Sequence, residues 1–143
     1  MASSPPRWIV KASTSAHVFI YRQSKGRMWR TMIGLPVLLL TTTGRKSGRP
    51  HTNPVVYLRD GDDYLIAASY GGADKHPTWY LNLKKNPAAR IEIDGKQLEV
   101  KAAFADGPER AQLYERFKAS SGNFVKYELA TNRPIPVVRL TLR

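Results

Sequence analysis

The chain has 143 residues, no cysteine and a formal net charge of +12. That length suits one domain whose core needs no staples, and the lack of cysteine excludes disulfides, thiolate catalysis, Cys-type zinc sites and iron–sulfur clusters. No run approaches the roughly 20 apolar residues of a membrane span, and the opening MASSPPRW is not followed by the apolar core of a signal peptide, so a cytoplasmic protein is expected. The charge is lopsided. Ten Lys and Arg and no acid precede Asp60, whereas the remaining 84 residues carry thirteen bases and eleven acids. The basic part is expected to face an anion: nucleic acid, anionic lipid or a phosphorylated small molecule.

In chain order, residues 1–7 read as a flexible lead and 8–23 as an amphipathic helix, with Ile9, Ala12, Ala16, Phe19 and Ile20 on one face. Ser24-Lys25-Gly26 ends it, and the basic, aromatic RMWRTMIG that follows carries no clear element. Pro36 to Thr43 is an apolar strand, TNPVVYLRD a second, and GDDYLIAAS a turn and a third, together an antiparallel meander. After Gly71-Gly72 a short helix is expected from about Pro77, stopped by Pro87. ARIEIDGKQLEVKA alternates apolar and polar residues around Asp94-Gly95, the strongest hairpin signal in the chain. GPERAQLYERFKAS reads as a helix, with Ala111, Leu113, Tyr114 and Phe117 at near-helical spacing. A further helical piece covers Phe124 to Ala130, and IPVVRLTL closes the chain as a strand. About six strands with interspersed helices in one domain spanning 1–143 predict a mainly β (α+β) fold, a small antiparallel barrel rather than a parallel Rossmann sheet.

Familiar phosphate motifs are absent. Lys46-Ser47 imitates the end of a P-loop, but Arg45 and Leu40 stand where that motif needs glycine, and no G-x-G-x-x-G opens a helix after a strand. His17, His51 and His76 lack metal-ligand spacing, so no metal site is expected. Two strand-end loops remain. GRKSGRP offers Arg45, Lys46 and Arg49 with backbone amides near Gly44 and Gly48, a phosphate-binding set or a solvated basic hairpin. ASYGGADKHP leads into a helix N-terminus, where amides and the helix dipole favour an anion. The two loops are expected to converge on one phosphate-bearing ligand.

LLLTTTGRKSGRP, NPVVYL, AASYGGADKHPTWYLNLKKNP and TNRPIPVV, in that order and at about their usual spacing, resemble the deazaflavin (F420)-dependent nitroreductase family. Its members are FMN-binding-like split β-barrel oxidoreductases, mostly actinobacterial, and the likeness runs from about Gly34 to Val138. It implies reduced coenzyme F420 as cofactor, with FMN the second choice. It also implies that Arg45, Lys46, Ser47, Gly71, Gly72, Ala73 and Lys75 hold the coenzyme's phosphate and ribityl chain. Asn53, Pro54 and Val55 would lie beside the deazaflavin ring, and Trp79 would pack in the cofactor site. The plain alternatives are a strand-entry kink at Asn53-Pro54 and a core aromatic at Trp79.

Departures from the family pattern carry expectations of their own. His51 stands where relatives have arginine, which makes one cofactor-tail charge weaker or pH-dependent. Tyr70 stands where a relative has lysine. Of three tyrosines in the acceptor-side segment of the nitroimidazole-activating member, only Tyr127 matches; Ser121 and Phe124 occupy the other positions, so nitroreduction does not follow from the family name. The expected reaction is hydride transfer to an activated alkene, such as an unsaturated or coumarin-like lactone, or to a quinone. Tyr127 is the candidate proton donor, or else a packing residue, and Ser69 a hydrogen-bond donor to substrate or ring. The competing readings are a non-catalytic cofactor carrier and a basic surface module. Arg27, Trp29 and Arg30 interleave cations with an aromatic, but no nucleic-acid motif accompanies them, so nucleic acid is not an expected partner. Peripheral membrane contact through the 8–23 helix is favoured over it, and the oligomeric state is monomer or homodimer.

Overall fold

A computed structural model describes residues 31–143 and, before them, Val18 alone, which is helical. The expected 1–7 lead and, apart from Val18, the expected 8–23 helix lie outside the described residues. Among the described residues there are eight strands: β1 (Thr31–Met32), β2 (Leu35–Thr43), β3 (Pro50–Val56), β4 (Leu58–Asp60), β5 (Asp63–Ala67), β6 (Ala88–Ile93), β7 (Lys96–Phe104) and β8 (Val137–Leu142). Beyond Val18, three α-helices accompany them among the described residues: α1 (Thr78–Lys85), α2 (Gly107–Ser120) and α3 (Asn123–Leu129).

Every pairing is antiparallel, and the order across the curled sheet is β3-β2-β6-β7-β8-β5-β4, with β1 folded back on the start of β2. β3 and β4 belong to one chain segment broken at Tyr57, whose N–H donates to the Pro36 carbonyl at 3.0 Å. Its first half pairs with β2 at one end of the sheet and its second half with β5 at the other, so this segment curls the sheet into a split barrel. The sequence anticipated it as a single strand. It also missed β1, which turns back through Ile33 and Gly34, both at positive φ (48° and 81°). These two differences account for eight strands where about six were expected. The Asp94-Gly95 turn is as expected, with φ of 52° and 80° and Ile93 paired to Lys96.

Alternation along the strands divides the core. Leu38, Leu40, Ile66, Ile91, Val100 and Leu140 form one cluster, which Trp79 and Leu83 of α1 join. Leu35, Leu65 and Val137 face the other way, against Leu113, Tyr114 and Phe117 of α2 and Phe124 of α3. Side chains of this size contribute roughly 1.5–3 kcal/mol each when fully buried. Ala111, expected on the packed face of α2, is exposed. Among the described residues no helix is long and apolar enough to cross a membrane.

Candidate cofactor site

The turn between β2 and β3 is built around Gly44. Its N–H donates to Arg49 O and its carbonyl accepts from Gly48 N, both at 2.8 Å, and Gly48 takes a φ of 72°. A side chain at Gly44 would displace its neighbours: a Cβ there would lie 2.6 Å from Ser47 Oγ and 2.7 Å from His51 Nε2. Ser47 and His51 therefore close over the glycine, and Ser47 Oγ accepts from Arg49 N at 3.1 Å.

Helix α1 fixes this turn from beneath. Asn82, 1% exposed, accepts from Arg45 N at 3.0 Å through Oδ1 and donates to Thr42 Oγ1 at 3.0 Å through Nδ2. Lys85 Nζ donates to Arg45 O at 2.8 Å. The backbone is thus immobilised while the charged ends are left over. The side chains of Arg45, Lys46 and Arg49 make no ion pair or hydrogen bond among the described residues, and neither does Lys75 on the second loop. Sequence reasoning passed over Asn82. Its place three residues after Trp79 and one before Leu83 sets it on the same buried helix face, which was a usable signal.

The second loop, from β5 to α1, contains three successive residues at positive φ: Tyr70 (49°), Gly71 (63°) and Gly72 (84°). Gly72 N donates to Ser69 O at 2.9 Å and Ala73 N to Tyr70 O at 3.1 Å. A Cβ on Gly72 would meet Ala130 Cβ at 3.0 Å, Tyr127 Cα at 3.1 Å and Tyr127 O at 3.2 Å, so the loop is pressed onto α3. Asp74 accepts from Thr131 Oγ1 at 2.8 Å. His76 packs against Tyr80 with the rings tilted by 45° and their centroids 4.7 Å apart. Burial, and then the charges of Arg133 and Lys84, hold the His76 imidazole below its ordinary value.

Both loops meet α1, the first along its body and the second at its start. The remaining residues singled out from sequence are placed as follows. Opposite Leu40 and Leu38 in register, Asn53 and Val55 share the α1 side of the sheet with Thr42 and His51, while Pro54 is on the other face. Val55 is buried and Asn53 half-buried, and β3 has a single strand partner, so its outer edge is open among the described residues. Trp79 is 7% exposed within the core cluster. Tyr127 is half-buried with its ring edge-on to Phe124, centroids 5.5 Å apart, and its hydroxyl bonds to no described residue. Ser69 Oγ is likewise without a partner among the described residues. No group of His, Cys, Asp and Glu suited to a metal ion occurs among them.

The family model for F420H(2)-dependent quinone reductase matches residues 13–141. The chain belongs to this family. An F420H(2)-dependent quinone reductase of Mycobacterium tuberculosis is 43% identical over 131 residues, covering 89% of this chain and 88% of its own. Among solved structures, an F420-H2 dependent reductase, FDR-A, superposes with a TM-score of 0.67 at 34% identity, covering 73% of this chain and 93% of that one. A second, described as a domain-swapped dimer, has a TM-score of 0.68 at 28% identity and covers 93% and 96%. As a quinone reductase family member the chain is an F420-dependent oxidoreductase with the split-barrel fold. Reduced F420, rather than the second choice FMN, is its cofactor.

Proposed function

We propose that this protein reduces a quinone with reduced F420, using the Gly44–Arg49 turn and the Ser69–His76 loop to hold the cofactor. The observation that carries the assignment of the site is the set of four cations, Arg45, Lys46, Arg49 and Lys75, that no carboxylate neutralises, mounted on two loops anchored to one helix. The donor set fits a phosphate-bearing ligand with an acidic tail: guanidinium and ammonium groups, with glycines at Gly44 and Gly72 where a Cβ would crowd its neighbours. Arg45, Lys46, Ser47 and Lys75 would hold the phosphate and tail, with Gly71, Gly72 and Ala73 giving backbone access, and His51 beside Ser47 adds a titratable contact. Asn53, Pro54 and Val55 would present the open edge of β3 to the ring, with Trp79 packed beneath.

The bound cofactor supplies a hydride, so the protein need furnish no nucleophile. Its own residues orient the acceptor and exclude water. The Tyr127 hydroxyl, free of described partners and carried on the helix that touches Gly72, delivers the proton to the reduced oxygen, and Ser69 Oγ donates a hydrogen bond to the acceptor. A quinone is favoured over an alkene or lactone by the family's own description. A homodimer belongs to the same reading, supported by the neighbour described as a domain-swapped dimer; sedimentation giving only monomer at micromolar concentration would refute it. So does contact of a cytoplasmic protein with anionic membranes through the expected 8–23 helix, which lies in the stretch before Asp60 that carries ten Lys and Arg and no acid. Failure to float with anionic vesicles would remove that part.

The deciding experiment titrates the protein in parallel with F420, FMN and NADPH, then offers the reduced complex menadione, a coumarin-type lactone and a nitroimidazole. Selective saturable F420 binding with turnover on menadione is expected. Preference for FMN would overturn the cofactor, turnover on the lactone alone would overturn the acceptor, and binding without turnover on any would make the protein a carrier. Tyr127→Phe should lower turnover about 10²-fold or more with F420 affinity unchanged, the scale of a lost general acid. Unchanged turnover would return Tyr127 to a packing role.

A further inference from the structure

Arg133, which precedes Pro134 between α3 and β8, takes no part in the site as read from sequence. Its side chain nonetheless gathers the whole second loop. Nε donates to Ala73 O at 2.8 Å, and Nη2 donates to Ser69 O at 2.8 Å and Ala68 O at 3.1 Å. Nη1 lies 3.2 Å from His76 Nδ1. A guanidinium only donates, so Nδ1 is the acceptor and the neutral imidazole carries its proton on Nε2. The backbone N–H of Arg133 also donates to Thr131 Oγ1 at 3.3 Å, and that hydroxyl holds Asp74.

These acceptors flank the positive-φ residues Tyr70, Gly71 and Gly72 on both sides. A tyrosine at φ 49° resists that conformation, which persists only where the surroundings over-determine it. The loop supplies few of its own ties: the two backbone bonds Gly72 N to Ser69 O and Ala73 N to Tyr70 O. The ammonium of lysine is a compact point charge, whereas the three guanidinium nitrogens are fixed in a plane and reach both flanks of the loop at once. Arg133 makes no salt bridge among the described residues, so carbonyls and an imidazole, not a carboxylate, take up its donors.

We propose that Arg133 is the positioning residue that sets the Ala68–His76 loop in its cofactor-ready shape before any ligand arrives, through the planar fork of its guanidinium rather than through its charge. The cofactor half of this statement rests on the reading that the loop holds F420; the loop half does not. The test compares the full chain with Arg133→Lys, which keeps the charge, and Arg133→Gln, which loses both charge and fork. Amide hydrogen exchange of the ligand-free proteins is read over residues 68–77 and over β2 and β7, and F420 affinity is read by titration. Expected in both variants is exchange about tenfold faster within 68–77, at Gly72 and Ala73 above all, with β2 and β7 unchanged and F420 binding about tenfold weaker. Should Arg133→Gln not fold, Arg133→Lys carries the test alone. Wild-type behaviour of Arg133→Lys would overturn the fork, and faster exchange across the whole sheet would make Arg133 a general structural residue. A loosened loop with full F420 affinity would overturn the link to the cofactor. If the wild-type protein itself binds no F420, the functional reading fails, while the exchange data still decide the loop assignment.

Discussion

The segment from Pro50 to Asp60 runs between two charged corners that the fold treats in opposite ways. At its end, Asp60 Oδ2 accepts from Arg139 Nη1 at 2.7 Å and Oδ1 lies 3.2 Å from Arg116 Nη1, while Arg139 also reaches Asp63 at 3.0 Å. The Arg139 hydrogen bond, then its charge and that of Arg116, holds the Asp60 carboxyl below its ordinary range despite some opposing desolvation. At its start, the Gly44–Arg49 turn holds three cations and no acid, and its hydrogen bonds fix backbone only. The charges of the Asp60 corner find counter-charges within the fold. The cations of the turn, which we propose serve the cofactor, are left open among the described residues, and the hydrogen bonds there fix the backbone that carries them.

The largest effect expected from this contrast is on binding. Lys46→Ala with Arg49→Ala should weaken F420 affinity about a hundredfold, since charge-assisted bonds contribute roughly 1.5–3 kcal/mol each, while the melting temperature holds or rises as mutual repulsion is relieved. A fall in melting temperature with affinity intact would erase the distinction between the corners. Asn82→Ala should do both kinds of damage, costing roughly 1–3 kcal/mol of stability by leaving Thr42 Oγ1 and Arg45 N unsatisfied and weakening F420 binding about tenfold as the turn drifts. Denaturant melts and titration measure the two on one variant. Gly72→Ala should cost roughly 1–3 kcal/mol, from a Cβ at φ 84° pressed on Tyr127 and Ala130; stability equal to the wild type would mean that α3 yields easily.

The smallest effects should appear on acidification, and in a fixed order. His76 has its folded-state value depressed, so the stability it contributes is present above its ordinary 6.5 and is lost as pH falls through the lower folded value. Asp60 is depressed below 3.8, so its contribution persists to that pH and is lost only below it. Exchange in 68–77 should therefore rise below about pH 6.5, while Arg139 and its neighbours stay protected until about pH 4. Simultaneous loss would show that His76 does not report on the loop. His76→Gln should flatten the upper step.

Much of this was readable in advance because it depends on near neighbours in sequence. Asp94-Gly95 specified its hairpin, Pro77 and Pro87 bounded α1, and the apolar runs of β2 and β8 marked them as strands. The cationic turn was visible as a composition. Hidden were the break at Tyr57, the Thr31–Met32 strand and the reach of Arg133 to carbonyls as many as 65 residues away. Asn82 was half-legible, since helical spacing put it on the buried face without saying what it would bond.

The sequence by itself determined six strand-forming segments, the Asp94-Gly95 turn, the excess of positive charge and the likeness to deazaflavin enzymes, because each lies in local pattern or in ordered motifs. Tertiary structure alone decided which cations are neutralised and which remain available. Asp60 and Arg139 are 79 residues apart in the chain yet 2.7 Å apart in space, while Arg45, three positions from Thr42, has its backbone secured by Asn82 on a distant helix and its guanidinium left open. Pairing depends on distance through space, falling steeply over a few ångströms, and sequence separation carries no measure of it.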